Sequence, residues 1–385
     1  MRVLILGGDG YLGWPTAMHF AAHGNEVVVV DNGAKRQWEQ EVGGTPLWDV
    51  PTLQRRVRTW NSMRQTQIKM RFGDITNYHF LCDKVFGPFK PEVIVHYAEQ
   101  PSAPYSMGGI REAAYTQFNN VIGTLNVIGA MQKYAPDAHL IKLGTMGEYG
   151  TPNIDIEEGW LELEHNGRRD RVLYPKRAGS WYHQSKVHDS HNIEFACRVW
   201  GLRATDLNQG VVYGIDTEET ASHPELRTSF HYDAVFGTVI NRFCVQAVAG
   251  VPLTVYGKGG QTRGYLNIKD TLRCVELAAK NPAEPGEFRV FNQFTEQFSV
   301  LQLAEMVKAA AHLFIQVSIA HVENPRVEAE DHYYNAKNTS LLSLGLKPHL
   351  LTKGVLAKMI EKIQRDKRLI DTEIIHPKVR WKMEK

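Results

Sequence analysis

Apolar residues recur along this chain in two rhythms. Short runs rich in β-branched residues at 3–6, 26–30, 68–72, 93–96, 139–143 and 204–208 predict buried strands. Between them, apolar positions three and four apart predict helices, among them 12–23, 122–134 and 180–200. Strands alternating with helices predict an α/β fold, a doubly wound parallel sheet of the Rossmann type. A long insert over 33–66 carries Trp38, Trp48 and Trp60 and is too apolar for a linker. Over 160–173, apolar and polar residues alternate on either side of Asn166-Gly167, the signature of a hairpin with a type I′ turn. Its Arg168, Arg169 and Arg171 fall opposite Glu162 and Glu164, so this charge run is expected to pair across the strands.

Beyond about 220 the rhythm loosens, with a helix expected over 234–249, a strand over 253–256 and a last helical region over 301–313. This pattern predicts a smaller, interleaved α/β substrate domain. We assign 1–215 to dinucleotide binding, with 234–250 and 285–310 packing back on it, and 216–385 mainly to the substrate.

Composition works mostly by exclusion. Lys plus Arg number 44 against 42 Asp plus Glu, a net charge of +2, which offers no footprint for nucleic acid. The four cysteines are widely spaced with no CxxC pair, so neither disulfides nor a zinc site is expected, and no metal is assigned. No run approaches the roughly 20 apolar residues of a membrane span, so no membrane insertion is expected. The apolar run at Val3 follows Met1 too closely for a secretory signal. The expected compartment is the cytoplasm, or the plastid stroma where a transit peptide has been removed.

The candidate chemistry begins where the first strand ends. Gly7, Gly10 and Gly13 stand between a strand and a helix, where glycines let the backbone approach a pyrophosphate and helix N–H groups face the anion. Asp31 ends the second strand and would accept hydrogen bonds from an adenosine ribose, favouring NAD over NADP, with Arg36 close by as the opposing signal. Asp74 and Ile75 would flank the adenine, although an aspartate there equally suits a helix cap. Farther on, Tyr182 and Lys186 lie four apart on one helical face, so Lys186 is expected to lower the phenol pKa of Tyr182. Thr145, at a strand end, would share the substrate hydroxyl with that tyrosine.

These motifs resemble the extended short-chain dehydrogenase/reductases, the nucleotide-sugar epimerases and dehydratases. Longer segments, among them EQPSAPYSM (99–107), KLGTMGEYGTPNIDIEEG (142–159), YHQSKVHDSHN (182–192), VYGKGGQTRGY (255–265) and NPRVEAEDHYYNAK (324–337), resemble a sulfur-incorporating branch of that family. The resemblance spans residues 1 to about 350. It implies oxidation of UDP-glucose at C4 by tightly bound NAD, loss of water across C5 and C6, addition of sulfite at C6, and return of the hydride. It also implies a homodimer, paired through helices near 120–134 and 180–200.

The resemblance further implies site residues. Gly8, Asp9, Tyr11, Leu12 and Asn32 would join the glycines around the dinucleotide, with Tyr97, Asn119, Gln209 and Val212 beyond them. Met146, Gly147 and Gln209 would meet the sugar nucleotide, as would Val239, Ile240, Asn241 and Arg242. Thr254, Val255 and Tyr256 would border the uracil, with Gln261 beside them, and Arg263 and Arg326 would clamp the diphosphate. The acid/base pair of a 4,6-dehydratase is missing after Thr145, which leaves Glu148 or His183 for proton transfer at C5 and C6. At Pro101 the branch has an arginine; its loss calls for a cation from elsewhere, another nucleophile, or a sulfite-delivering partner protein. A 4-epimerase or dehydratase, and an NAD-binding scaffold or sensor, are the other readings the sequence leaves open.

Overall fold

The computed structural model describes residues 1–312, 315–328, 332–376 and 381. Its centre is a seven-stranded, all-parallel sheet. Five strands come from the first half: β1 (Arg2–Leu6), β2 (Glu26–Asp31), β3 (Ile68–Phe72), β4 (Val93–His96) and β5 (His139–Thr145). Arg203–Gln209 pairs with β5, and Phe288–Gln293 closes that edge. The near-continuous apolar runs of β1, β2 and β4 fit strands buried on both faces, while β3, at the sheet edge, is half-exposed. The chain moves from β1 outward through β2 to β3, then returns to place β4 on the other side of β1. That reversal is the topological switch point, where a crevice opens at the strand C-termini.

The insert folds into two helices, α2 (Ala34–Val42) and α3 (Leu53–Met63), after the first helix α1 (Gly13–Ala22). Its three tryptophans are buried in three different hydrophobic clusters, which is why the segment is so apolar. The helix expected at 122–134 is the last part of a longer run that starts at Ile110 and passes through a π-helical turn at Phe118–Ile122. The hairpin forms as expected, with Asn166 and Gly167 at φ of 50° and 72°.

A second core gathers the helices Val239–Ala249, Val300–Ala311 and Lys353–Arg365 around Leu253–Tyr256, which pairs with Ile319–Val322. The helix expected from 234 starts only at Val239, because Asp233 accepts from the N–H groups of Val235 and Phe236 and turns the chain first. Helix Val239–Ala249 therefore lies in this second core and not against the sheet. The segment expected at 285–310 divides, its strand joining the sheet and its helix the second core. Leu313, the expected end of that helix, lies outside the described residues. The helix that does cover the sheet beside α1 is Ile268–Lys280, capped by Asn267, which the sequence reading did not single out. All four cysteines are buried and free.

Candidate active site

One cavity of about 1500 Å³ runs from the switch point to the second core. Single small-ligand sites occupy about 300–1,000 Å³, so the space suits a dinucleotide and a sugar nucleotide together. At the β1 end the glycine turn is closed so tightly that a Cβ on Gly13 would lie 1.9 Å from the Gly7 carbonyl oxygen. Gly10 has open space, with nothing nearer than 3.6 Å to its Cβ position. This is the cradle a pyrophosphate needs. Gly7, Gly10 and Gly13 line the cavity with Tyr11, Leu12, Asp31 and Asn32; Ile75, Tyr97, Asn119, Gln209 and Val212 follow. The Asp31 carboxylate accepts one N–H on each oxygen, from Asp9 at 2.8 Å and Gly33 at 2.7 Å, and keeps lone pairs for a ribose.

Four residues expected around the dinucleotide, Gly8, Asp9, Arg36 and Asp74, do not line the cavity. Gly8 packs on Val29. Asp9 is bound by Arg36, at 2.6 Å, and by the fully buried Arg56, so Arg36 is not free to meet a 2′-phosphate. Arg36 also donates to the carbonyls of Val50 and Pro51. Asp74 fits neither expectation: it closes the turn at Thr76 and accepts from Asn32, the helix cap beyond it is Asn77, and Ile75 faces the cavity.

The reacting end is built on β5 and the long helix Trp181–Trp200. Thr145, Met146, Gly147, Tyr182 and His183 line it together. A Cβ on Gly147 would lie 2.3 Å from His183 Nε2, so only glycine admits the ring there. Ser180 Oγ holds the other ring nitrogen at 3.0 Å. Burial, then the guanidinium groups of Arg326 and Arg263, push His183 down to about 3, so the imidazole is neutral.

Two expectations fail at this end. Glu148 does not reach the cavity. It is fully buried, forms a capping box with Thr145, and is ion-paired to Lys142 and Lys176, so it cannot serve C5 or C6. Burial opposes its ionisation, but the two lysines win and hold its carboxyl at about 2. Nor is the Tyr182 pKa lowered beside Lys186. Its ammonium donates to the Leu143 carbonyl at 2.5 Å and lies 2.6 Å from Glu99 Oε2. Burial and then the Glu99 carboxylate raise the phenol instead.

Toward the second core, Val239, Asn241, Arg242, Tyr256, Gln261, Arg263 and Arg326 line the cavity as expected. Ile240, Thr254 and Val255 do not. Ile240 and Val255 point into the apolar core, and Thr254 is buried against Gln246. Arg242 donates to the Tyr256 hydroxyl at 3.1 Å, and Arg263 pairs with Glu328 at 2.5 Å. Sequence reading missed the lining residues Glu99, Lys176 and Arg177. A charged residue three positions past an apolar strand was the available signal for Glu99.

The chain belongs to the NAD dependent epimerase/dehydratase family, which its residues 3–292 match. Within that class it is 56% identical to the chloroplastic UDP-sulfoquinovose synthase of Spinacia oleracea over 99% of this chain and 79% of the relative. It is 45% identical to the UDP-sulfoquinovose synthase of Sulfolobus acidocaldarius, over 99% of this chain and 98% of that one. Among solved structures, a UDP-glucuronic acid 4-epimerase from Bacillus cereus in complex with UDP-glucuronic acid and NAD shares the fold. Its TM-score is 0.69 at 18% identity, covering 95% of this chain and 99% of that chain.

Proposed function

We propose that the chain converts UDP-glucose and sulfite to UDP-sulfoquinovose, with NAD retained through each turnover. Near-full-length similarity to two UDP-sulfoquinovose synthases carries this reading. The grouping of Thr145, Tyr182 and His183 on one cavity wall supports it. NAD supplies the hydride acceptor at C4. Tyr182 takes the C4 hydroxyl proton as its phenolate, which requires the bound nicotinamide cation to offset the burial and the carboxylate charge that raise the phenol; Thr145 shares that hydroxyl, and Lys186 holds the nicotinamide ribose. His183 carries the proton between C5 and C6: burial depresses it most, and a diphosphate on Arg263 and Arg326 would neutralise the two cations that depress it further and so raise its basicity. Residues 1–215 mainly hold the dinucleotide and 216–385 mainly the sugar nucleotide.

Pro101 lines the cavity and brings no charge. Lys176 also lines it, but its ammonium is bound to Glu148. Arg177 lines the cavity, is exposed, and has no hydrogen bond or ion pair among the described residues, so we assign it to the entering sulfite. A homodimer is supported by exposed apolar side chains on both segments expected to pair, Phe118, Ile122 and Leu125 on the first and Phe195 and Val199 on the long helix. Among the described residues, no helix is long and apolar enough to cross a membrane. The cytoplasm or plastid stroma is the compartment this reading implies.

The test is incubation of the purified protein with UDP-glucose, with and without sulfite, and product mass spectrometry. A sulfite-dependent sulfonate is expected. UDP-galactose, or loss of water alone, overturns the reading. Tyr182→Phe is expected to lower kcat by roughly 100-fold or more while NAD stays bound.

A further inference from the structure

The cavity wall contains a carboxylate that the reaction above leaves unused. Glu99 stands three residues past β4, its side chain 2% exposed, with Oε2 2.6 Å from Lys186 Nζ. Neither oxygen is otherwise hydrogen-bonded among the described residues. The loop that carries it is pinned to the long helix. Asn120 accepts from the Gln100 N–H at 2.8 Å and donates to Ser185 at 2.9 Å, and Gln100 donates to Thr116 at 2.9 Å. Glu99 is therefore held in place beside Lys186, and an under-bonded buried carboxylate of this kind is costly to keep.

Charge around the catalytic pair explains the arrangement. Lys142, Lys176 and Lys186 are buried there together with four carboxylates, Glu99, Glu148, Asp189 and Asp206. With all of them ionised, the wall is one positive charge short. Burial and the nearby Glu99 push the Asp189 carboxyl well above the ordinary carboxylate range, so a proton is one way of offsetting the deficit. A ligand bringing one fixed positive charge to this end of the cavity would fill it instead. The nicotinamide ring is such a cation when oxidised and is neutral when reduced.

We propose that Glu99 is a positioning residue with two effects at the reacting end: it fixes Lys186, and its carboxylate favours the oxidised dinucleotide over the reduced one. The inference rests on the NAD-retaining reaction proposed above. In such a cycle the cofactor must start and finish each turnover oxidised, and a carboxylate that disfavours the neutral ring helps return the hydride to C4 at the last step.

The test uses the full-length protein freed of nucleotide, titrated separately with NAD+ and NADH by calorimetry without sugar. Wild type is expected to bind NAD+ more tightly. Glu99→Gln is expected to lower that preference by roughly tenfold or more, the scale on which a close unlike charge moves a proton equilibrium by one to three units. Glu99→Asp is expected to retain most of it. Equal loss of affinity for both forms in Glu99→Gln, leaving their ratio unchanged, would mark a merely structural role and overturn the proposal. Should Glu99→Gln not fold, wild type alone decides, because equal affinity for the two forms also overturns it. Failure of wild type to bind either form would instead refute the NAD reading.

Discussion

Two groups of ion pairs, each built from basic side chains and carboxylates, lie at opposite extremes of burial. Beneath the catalytic turn, Lys142 donates to Glu148 at 3.3 Å, Asp206 at 3.3 Å, Ser190 at 3.2 Å and the Lys186 carbonyl at 3.0 Å, with none of its side chain exposed. On the hairpin, Arg169 meets Glu164 at 2.8 Å with 83% and 56% of the two side chains exposed. The buried group fixes the position of Thr145 and of the helix that carries Tyr182. The exposed group closes a ladder in water. Burial, not residue type, decides which carboxylates the fold depends on, because a charge shut away from solvent must keep its partner.

The largest effect is therefore expected at Glu148. Glu148→Ala leaves Lys142 and Lys176 buried without their shared partner and should cost about 3–5 kcal/mol in urea unfolding. An effect under about 1 kcal/mol would erase the contrast between the two groups. Asp9→Ala should cost somewhat less, about 3 kcal/mol, since Arg36 is 35% exposed and can turn to water while Arg56 cannot. It should also weaken NAD binding, because Asp9 anchors the glycine turn from behind.

Acid sharpens the same contrast. The folded-state pKa of Glu148, about 2, lies below the roughly 4.3 of an unfolded glutamate. Its contribution to stability is thus present above that unfolded value and is lost as pH falls toward 2. The stability gap between wild type and Glu148→Gln should narrow from pH 5 to pH 2. A gap that stays constant would mean that the lysines do not hold this carboxylate ionised.

The same physics sets what could be read from the chain. Strands β1 to β5 were legible to within two residues, and β1, β2 and β4, buried on both faces, read as continuous apolar runs. The places of Gly7, Thr145 and Tyr182 on the cavity wall were legible because short spacing along one strand, turn or helix sets them. Glu148 was misread because its deciding partner, Lys176, lies 28 residues away, and spacing cannot show which way a carboxylate turns. Arg36 was misread for the same reason, its carboxylate lying across the turn at Asp9. Helix Ile268–Lys280 carried a readable signal, with Asn267 as its cap and Ile268, Leu272 and Val275 on one face, but it follows the strand Thr262–Asn267 without a break.

The smallest effect is expected on the hairpin, where the sequence foresaw cross-strand pairing. In a double-mutant cycle, Glu164→Ala and Arg169→Ala should each cost between about 0 and 1 kcal/mol, with a coupling of the same size. The register places the two residues directly opposite, so the coupling should be real at low salt. In 1 M salt, where screening reaches down to about 3 Å, it should largely vanish. The matching salt series on Glu148→Ala should barely move, because ions cannot enter a site with no exposed side chain. A hairpin coupling that survived high salt would instead show that the ladder is shielded from solvent, and it would then belong with the buried group despite its exposed surface.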